Sequence, residues 1–378
     1  MSQSERLVGG MLTATAQTGL AIDESSGALA QLTRSVEDVT AIVDVIGHIE
    51  LVTPGTWERE DIPGVPKHAT TVIVDVDEYG DEIFVDSSGF TAPSRLLWGH
   101  AGQPLVEVKS APGFFDAGGL EVSQHFVASA DGTRIPYFVV GNRDSGGPGP
   151  TLLGGYGGFE SSNLPGYAGV LGRLWLARGG TYVLANIRGG GEYGPSWHTR
   201  AMRENRHLVY EDFAAVAQDL VARGITTVPQ LGAQGGSNGG LLMGVMLTRY
   251  PELFGALVCS VPLLDMKRFH LLLAGASWVA EYGDPDNPED WAFMEAFSPY
   301  QNISADAHYP ALLMTTSTRD DRVHPGHARK MTAALEAAGH RVRYYENIEG
   351  GHAGAADNAQ TAFKSALTYG FLWRMLGR

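Results

Sequence analysis

The chain has one cysteine, Cys259, among 378 residues, so an intrachain disulfide is excluded. Its setting, GALVCSVP, is apolar and predicts a buried, inert thiol. A chain without disulfides fits a cytoplasmic compartment. Basic residues are also scarce: 27 Lys and Arg stand against 42 Asp and Glu, a net charge of -15. That deficit argues against nucleic acid or an anionic membrane as a partner. No apolar run approaches the ~18 residues of a transmembrane helix. The opening MSQSERLVGGMLTATAQTG has no basic segment leading into an apolar core, so no signal peptide is expected. There is no Cys/His cluster at zinc spacing and no phosphate-cradling GxxxxGK[ST] sequence, so neither a metal nor a nucleotide cofactor is expected.

What is present is a core-forming composition, 44% hydrophobic and 18% charged, enough for one large domain or two ordinary ones. The two parts of the chain read differently. Residues 1–118 carry short β-like runs, TTVIVDVD (70–77), EIFVDSSG (82–89) and SRLLWG (94–99), split by turn residues. They predict an all-β segment with room for about two propeller-type blades, too few to close a ring. From 119 to 378 strand-like and helix-like stretches alternate. RIPYFVVG (134–141), TLLGG, TYVLANI, QLGAQGG, GALVCSVP, PALLMTTST (310–318) and RVRYYENIEG (341–350) read as strands. AGVLGRLWLARGG (168–180) and EDFAAVAQDLVARGI (211–225) read as helices. Alternation of this kind builds a mostly parallel sheet covered on both faces, an α/β fold.

The 49 glycines concentrate around 146–194 and 232–240. In the second cluster, AQGGSNGGLLMG places Ser237 between a strand and an apolar helix, in the pattern G-x-S-x-G. That pattern describes a tight strand-to-helix turn presenting a nucleophilic serine. The helix N-terminus favours developing negative charge, and the Asn238 N–H can donate to an oxyanion. A serine hydroxyl needs a base. The chain order expected for this turn is Ser, then Asp or Glu, then His. Asp320, with Asp321 beside it, follows the strand PALLMTTS, and His352 follows RVRYYENI. His324 and His327 compete with His352 but sit close to the acid at a helix start. Tyr156, in LLGGYGGFE, is a candidate for the second oxyanion donor. Each residue alone has an ordinary reading: a bystander serine in a glycine turn, a solvated carboxylate, a surface histidine, an aromatic lid. A rival motif, Gly189 to Gly194 with Glu211 further on, has dinucleotide-binding spacing. Pro195 follows it at once, however, and no helical run opens from the glycines.

GGYGGFE, ANIRGGGEYGPSWH, GGSNGGLLMG, DMKRFHLLLAGASWVAEYGDP, TRDDRVHP and EGGHAG, in that order, make the chain resemble the prolyl oligopeptidase family of serine peptidases. The resemblance implies an α/β-hydrolase catalytic domain over 119–378, preceded by a shortened propeller segment. It implies Ser237 as nucleophile, His352 as general base and then acid, Asp320 as the residue orienting His352, and Tyr156 with the Asn238 N–H as oxyanion hole. Arg322 is implied as a clamp on a substrate carbonyl, and Trp278 as the ring on which a substrate proline stacks. Phe159, Tyr282 and Val323 are implied to line that pocket. RFHLLLAGASWVAEYG is more similar to proline-specific members than to basic-residue-specific ones, although Glu281 leaves one acidic residue there. DEIFVDSSGFTAPSRLLWG resembles the family's last blade, whereas residues 1–65 resemble nothing placed. The expected partners are short proline-containing peptides, with self-association through a rim that a full propeller would cover. Three activities remain open on this sequence: a post-proline peptidase, a general acyl hydrolase on the same triad, and a silent peptide-binding remnant.

Overall fold

The computed structural model describes residues 50–52, 59–76, 81–100, 102–142 and 147–377. Most of the unplaced segment 1–65 lies outside the described residues. The chain divides into two compact units. One comprises residues up to Gly118 with Leu164–Gly172 and Glu192–Pro195. The other comprises Gly119–Asn163, Arg173–Gly191 and Ser196 onward.

In the first unit, β1 (Glu50–Val52) and β2 (Arg59–Asp61) form an antiparallel pair. Four further strands, β3 (Ala69–Val76), β4 (Glu82–Gly89), β5 (Arg95–His100) and β6 (Val106–Ser110), form an antiparallel meander in chain order. Along β4 burial alternates residue by residue, the signature of a sheet with one covered face. Ile83 and Val85 point inward there and pack with Ile62, Leu97 and Leu105. The described residues of this segment thus supply one four-stranded sheet and a short pair, where the sequence had room for about two blades.

The second unit is an eight-stranded mixed sheet. Its strands are β7 (Leu120–Ala128), β8 (Arg134–Asn142), β9 (Thr151–Gly154), β10 (Thr181–Ala185), β11 (Leu231–Gly236), β12 (Ala256–Ser260), β13 (Ala311–Ser317) and β14 (Val342–Asn347). The spatial order is β14-β13-β12-β11-β9-β10-β8-β7. The strands from β9 to β14 run parallel to one another, and β7 and β8 are antiparallel at one edge. β9, β12 and β13 are buried almost throughout, which is why TLLG, ALVCS and ALLMTTS read as continuous apolar runs rather than alternations. This is the α/β-hydrolase architecture preceded by an all-β segment.

The helices are α1 (Gly169–Leu174), α2 (Pro195–Thr199), α3 (His207–Ala222), α4 (Asn238–Arg249), α5 (Val279–Tyr282), α6 (Pro288–Met294), α7 (Gly326–Ala337) and α8 (Asn358–Leu376). Helix α3 begins four residues before the expected Glu211, because the buried Val209 and Tyr210 extend its apolar face. The stretch 168–180 is not one helix but α1 and a separate turn, Leu176–Arg178, closed by Gly179 at φ 87°.

A buried polar link joins three parts of this unit. Arg188, in the turn after β10, donates Nη2 to Asp212 Oδ1 of α3 at 2.6 Å and Nε to Oδ2 at 2.9 Å. Its Nη1 reaches Asp131 Oδ2, in the β7–β8 turn, at 2.5 Å. The Asp212 carboxylate is fully buried, whereas that of Asp131 is more than a third exposed. Removing one member of a buried pair strands the other charge. Asp212→Ala is therefore expected to lower unfolding free energy by about 3–5 kcal/mol. Asp131→Ala should cost about 1 kcal/mol or less, both read from urea denaturation midpoints.

Candidate active site

The site grows out of one turn. β11 ends at Gly236, α4 starts at Asn238, and Ser237 between them has φ 59° and ψ -117°. The turn is pinned on both sides. Ser237 N–H donates to Ser260 O of β12 at 2.9 Å, and Ser237 O accepts from Gly240 and Leu241 N–H at 2.9 and 3.1 Å. Crowding explains the glycine at 235: a Cβ there would stand 2.2 Å from Gly239 O. The Asn238 N–H lies in the first turn of α4, where donors have no intrahelical acceptor.

Asp320 and His352 meet beyond the ends of β13 and β14. His352 Nδ1 lies 2.9 and 2.8 Å from the two carboxylate oxygens of Asp320. Asp320 is buried, and its Oδ1 also accepts from the backbone N–H groups of Arg322 and Val323, each at 2.9 Å. These contacts fix the carboxylate and commit Nδ1 of the imidazole. Nε2 is left as the ring nitrogen for proton exchange.

Ser237 opens into a cavity of about 350 Å³. Tyr156, Asn238 and Arg322 form its polar side; Phe159, Trp278, Tyr282 and Val323 form its apolar side. Phe159 and Tyr282 meet edge to face at 5.7 Å, a favourable aromatic geometry. The Tyr156 phenol and Ser237 line this cavity together. Burial holds the phenol pKa above its usual value, against the opposing pull of Arg322 and Ser237, so at neutral pH it is a proton donor. Eight of the ten residues singled out in the sequence therefore share one cavity. Asp320 and His352 are not among its lining residues; Asp320 sits in the loop that carries Arg322 and Val323 and holds the His352 ring.

Glu281, left by the sequence as an unassigned acid near the pocket, is buried and consumed by partners. It pairs with Arg206 and His198 at 2.6 and 2.7 Å and accepts from Phe159 N–H at 3.0 Å. Sequence reasoning missed Arg206 and His198 altogether. Arg206 sits in MRENRHLVYEDF, whose charges carry no periodic mark of burial. The rival glycine turn has a structural explanation. A Cβ on Gly189 would lie 2.6 Å from Gly157 O, and one on Gly191 2.4 Å from Glu160 O. The turn backs closely onto the 157–160 loop, is followed by the five-residue α2, and Glu211 lies within α3.

Comparison with known proteins places these features in context. Residues 172–378 match the prolyl oligopeptidase family. An uncharacterized peptidase of Sinorhizobium fredii is 50% identical over 325 residues, 85% of this chain and 45% of the relative. A prolyl endopeptidase of Dictyostelium discoideum is 33% identical over 313 residues, 80% of this chain and 39% of the relative. Among solved structures, a prolyl endopeptidase studied for inter-domain dynamics superposes with a TM-score of 0.78 at 36% identity, covering 88% of this chain and 52% of that one. A post-proline cleaving enzyme from Rickettsia typhi gives 0.78 at 35% identity, covering 87% and 48%. The chain spans about half the length of the relatives it matches.

His327, the nearest competitor for a catalytic base, is buried in α7. Its Nδ1 accepts from Asp265 and Leu264 N–H at 3.0 and 3.3 Å. Burial lowers its pKa to about 4, with Lys330 and His324 pushing the same way and Asp265 and Asp320 opposing. The unfolded chain binds this proton near pH 6.5 and the folded chain does not, so stability falls as pH drops from about 6.5 to 4. Between pH 7 and 5 the wild type should lose about 2 kcal/mol more than His327→Asn, which keeps a side-chain acceptor and does not titrate. Urea midpoints at the two pH values provide the measurement.

Proposed function

The chain belongs to the prolyl oligopeptidase family of serine peptidases, and from that premise we propose that it hydrolyses short peptides on the carboxyl side of proline through an acyl-enzyme. The observation that carries this reading is that Ser237 opens into the same cavity as Phe159, Trp278 and Tyr282. Proline is apolar and its amide lacks an N–H, so its receptor needs aromatic walls and no acceptor or counter-ion.

In the proposed reaction, Ser237 Oγ attacks the proline carbonyl carbon as His352 Nε2 takes the hydroxyl proton. The carbonyl oxygen becomes an oxyanion, held by the Tyr156 phenol and the Asn238 N–H. Asp320 stabilises the imidazolium through Nδ1. Collapse of the intermediate breaks the C–N bond, and His352 returns its proton to the leaving amine. Water then attacks the acyl-enzyme with His352 as base, which frees the acid and restores the serine hydroxyl. Arg322, exposed at the cavity edge, holds a second substrate carbonyl.

A digest of a peptide library by the purified chain tests the reading as a whole. Release after proline, at rates above those for simple acyl esters, is expected; ester cleavage without any cleavage after proline overturns the peptidase assignment. Ser237→Ala should abolish both turnover and labelling by an active-site fluorophosphonate, whereas persistent labelling removes Ser237 as nucleophile. Tyr156→Phe should lower kcat by about 10²–10³-fold through loss of one oxyanion donor. Trp278→Ala should raise KM for proline peptides by about three- to tenfold, from the stacking energy of one ring. Initial-rate kinetics read both.

A further inference from the structure

Behind the aromatic wall lies a buried polar cluster that the proposed chemistry does not use. Glu281 is carried on α5 beside Tyr282. Its Oε1 accepts from Arg206 Nη1 at 2.6 Å and from the Phe159 N–H at 3.0 Å, and its Oε2 lies 2.7 Å from His198 Nε2. Arg206, 1% exposed, turns its other terminal nitrogen to Asn238 Oδ1 at 2.5 Å. The guanidinium also lies 4.9 Å from the Tyr282 ring centre. Asn238 continues the chain of contacts: its Nδ2 donates to Tyr156 O at 2.7 Å, and its Oδ1 accepts from Tyr282 OH at 2.8 Å.

These contacts tie together three segments that are distant in sequence. They are the Tyr156–Phe159 loop, the turn at Ser237 and α5. The loop does not hold its own shape cheaply: Phe159 and Glu160 have φ of 57° and 54°, a region that costs non-glycine residues of order 1–3 kcal/mol each. The planar fork of an arginine can bond Glu281 and Asn238 at the same time, which a single ammonium cannot do with fixed geometry. A buried ion pair is also a poor source of stability, since apolar residues of similar volume do as well or better. Its physical advantage is direction.

On the peptidase reading above, we propose that Glu281 and Arg206 are positioning residues that act through Asn238 and the Phe159 N–H. They hold the Tyr156 phenol and the Asn238 N–H aimed at one oxyanion. Neither touches the substrate.

The test uses the purified full chain, with serines titrated to completion by a fluorophosphonate and kcat expressed per labelled serine. Arg206→Lys keeps the charge and loses the fork. Its kcat per labelled serine on a proline peptide amide should fall on the order of 10²-fold, the scale of a 1 Å misplacement, with KM changed by less than about threefold. A merely structural role predicts fewer labelled serines, each turning over at the wild-type rate. Combined with Asn238→Ala, Arg206→Lys should add no further loss. If Arg206→Lys yields no folded protein, His198→Ala, at the more exposed end of the cluster, should give about a three- to tenfold loss in the same quantity. Wild-type kcat per labelled serine in Arg206→Lys, or in His198→Ala where that variant is the one that folds, overturns the proposal. An unmutated chain that neither labels nor cleaves overturns the peptidase reading, and the positioning role falls with it.

Discussion

The site depends on one backbone conformation that the chain would not adopt unaided. Ser237 is held at φ 59° and ψ -117°, outside the regions open to an ordinary L-residue. Such a residue persists only where its surroundings over-determine it. They do so here. β11 is paired in parallel with β9 on one side and β12 on the other, the last register pair being Gly236 with Ser260. The same Ser260 carbonyl takes the Ser237 N–H. Helix α4 fixes the other end, and ten of its twelve residues are buried. The hydroxyl is thereby pushed out of a packed layer at the carboxyl end of the strands, where open α/β sheets bind ligands.

Two buried carboxylates organise the loops around that serine, and they do so in the same way. Asp320 accepts the N–H groups of Arg322 and Val323 while its oxygens hold the His352 ring. Glu281 accepts the Phe159 N–H while its oxygens hold Arg206 and His198. In each case one charge shapes a loop that lines the cavity and anchors a cationic or ionisable partner behind it. Backbone N–H groups bonded to an ionised acceptor are strong and directional contacts. A loop built around one is therefore more rigid than its lack of regular structure suggests.

The strands and the serine turn were legible because their signals are local. Continuous apolar runs mark strands covered on both faces, and glycines mark the crowded turn around Ser237. Asp320 and His352 could be picked out because each follows a strand in a fixed order. The polar cluster was not legible. Arg206 and Glu281 are 75 residues apart, and nothing in the pattern of either segment reports the other. His327 and the glycine turn at 189–191 were ambiguous in sequence for the converse reason. Chemical residues in plausible spacing can serve packing, and only the contacts of Nδ1 in one case and the approach to Gly157 in the other distinguish the two uses. The start of α3 was placed four residues late because Val209 and Tyr210 stand next to charged residues that conceal the buried face, and its end, at Ala222, comes three residues before the expected 225.

The cancellation of charge behind the cavity bears on what the cavity accepts. An acidic residue beside a specificity pocket ordinarily favours a cationic side chain. Glu281 has no such freedom: Arg206 balances it, His198 takes its second oxygen, and Tyr282 and Phe159 stand between the cluster and the cavity. The field reaching the cavity from behind is that of a dipole rather than a charge, and it falls off faster with distance. The formal charge that does face the cavity is Arg322, a cation at the exposed edge, suited to a carbonyl oxygen or a carboxylate and repelling lysine or arginine side chains. An apolar aromatic interior with a cationic edge discriminates against basic residues twice, by desolvation within and by repulsion at the entrance. A neutral, weakly hydrated side chain avoids both penalties, which is what the proposed post-proline reading asks of its substrate.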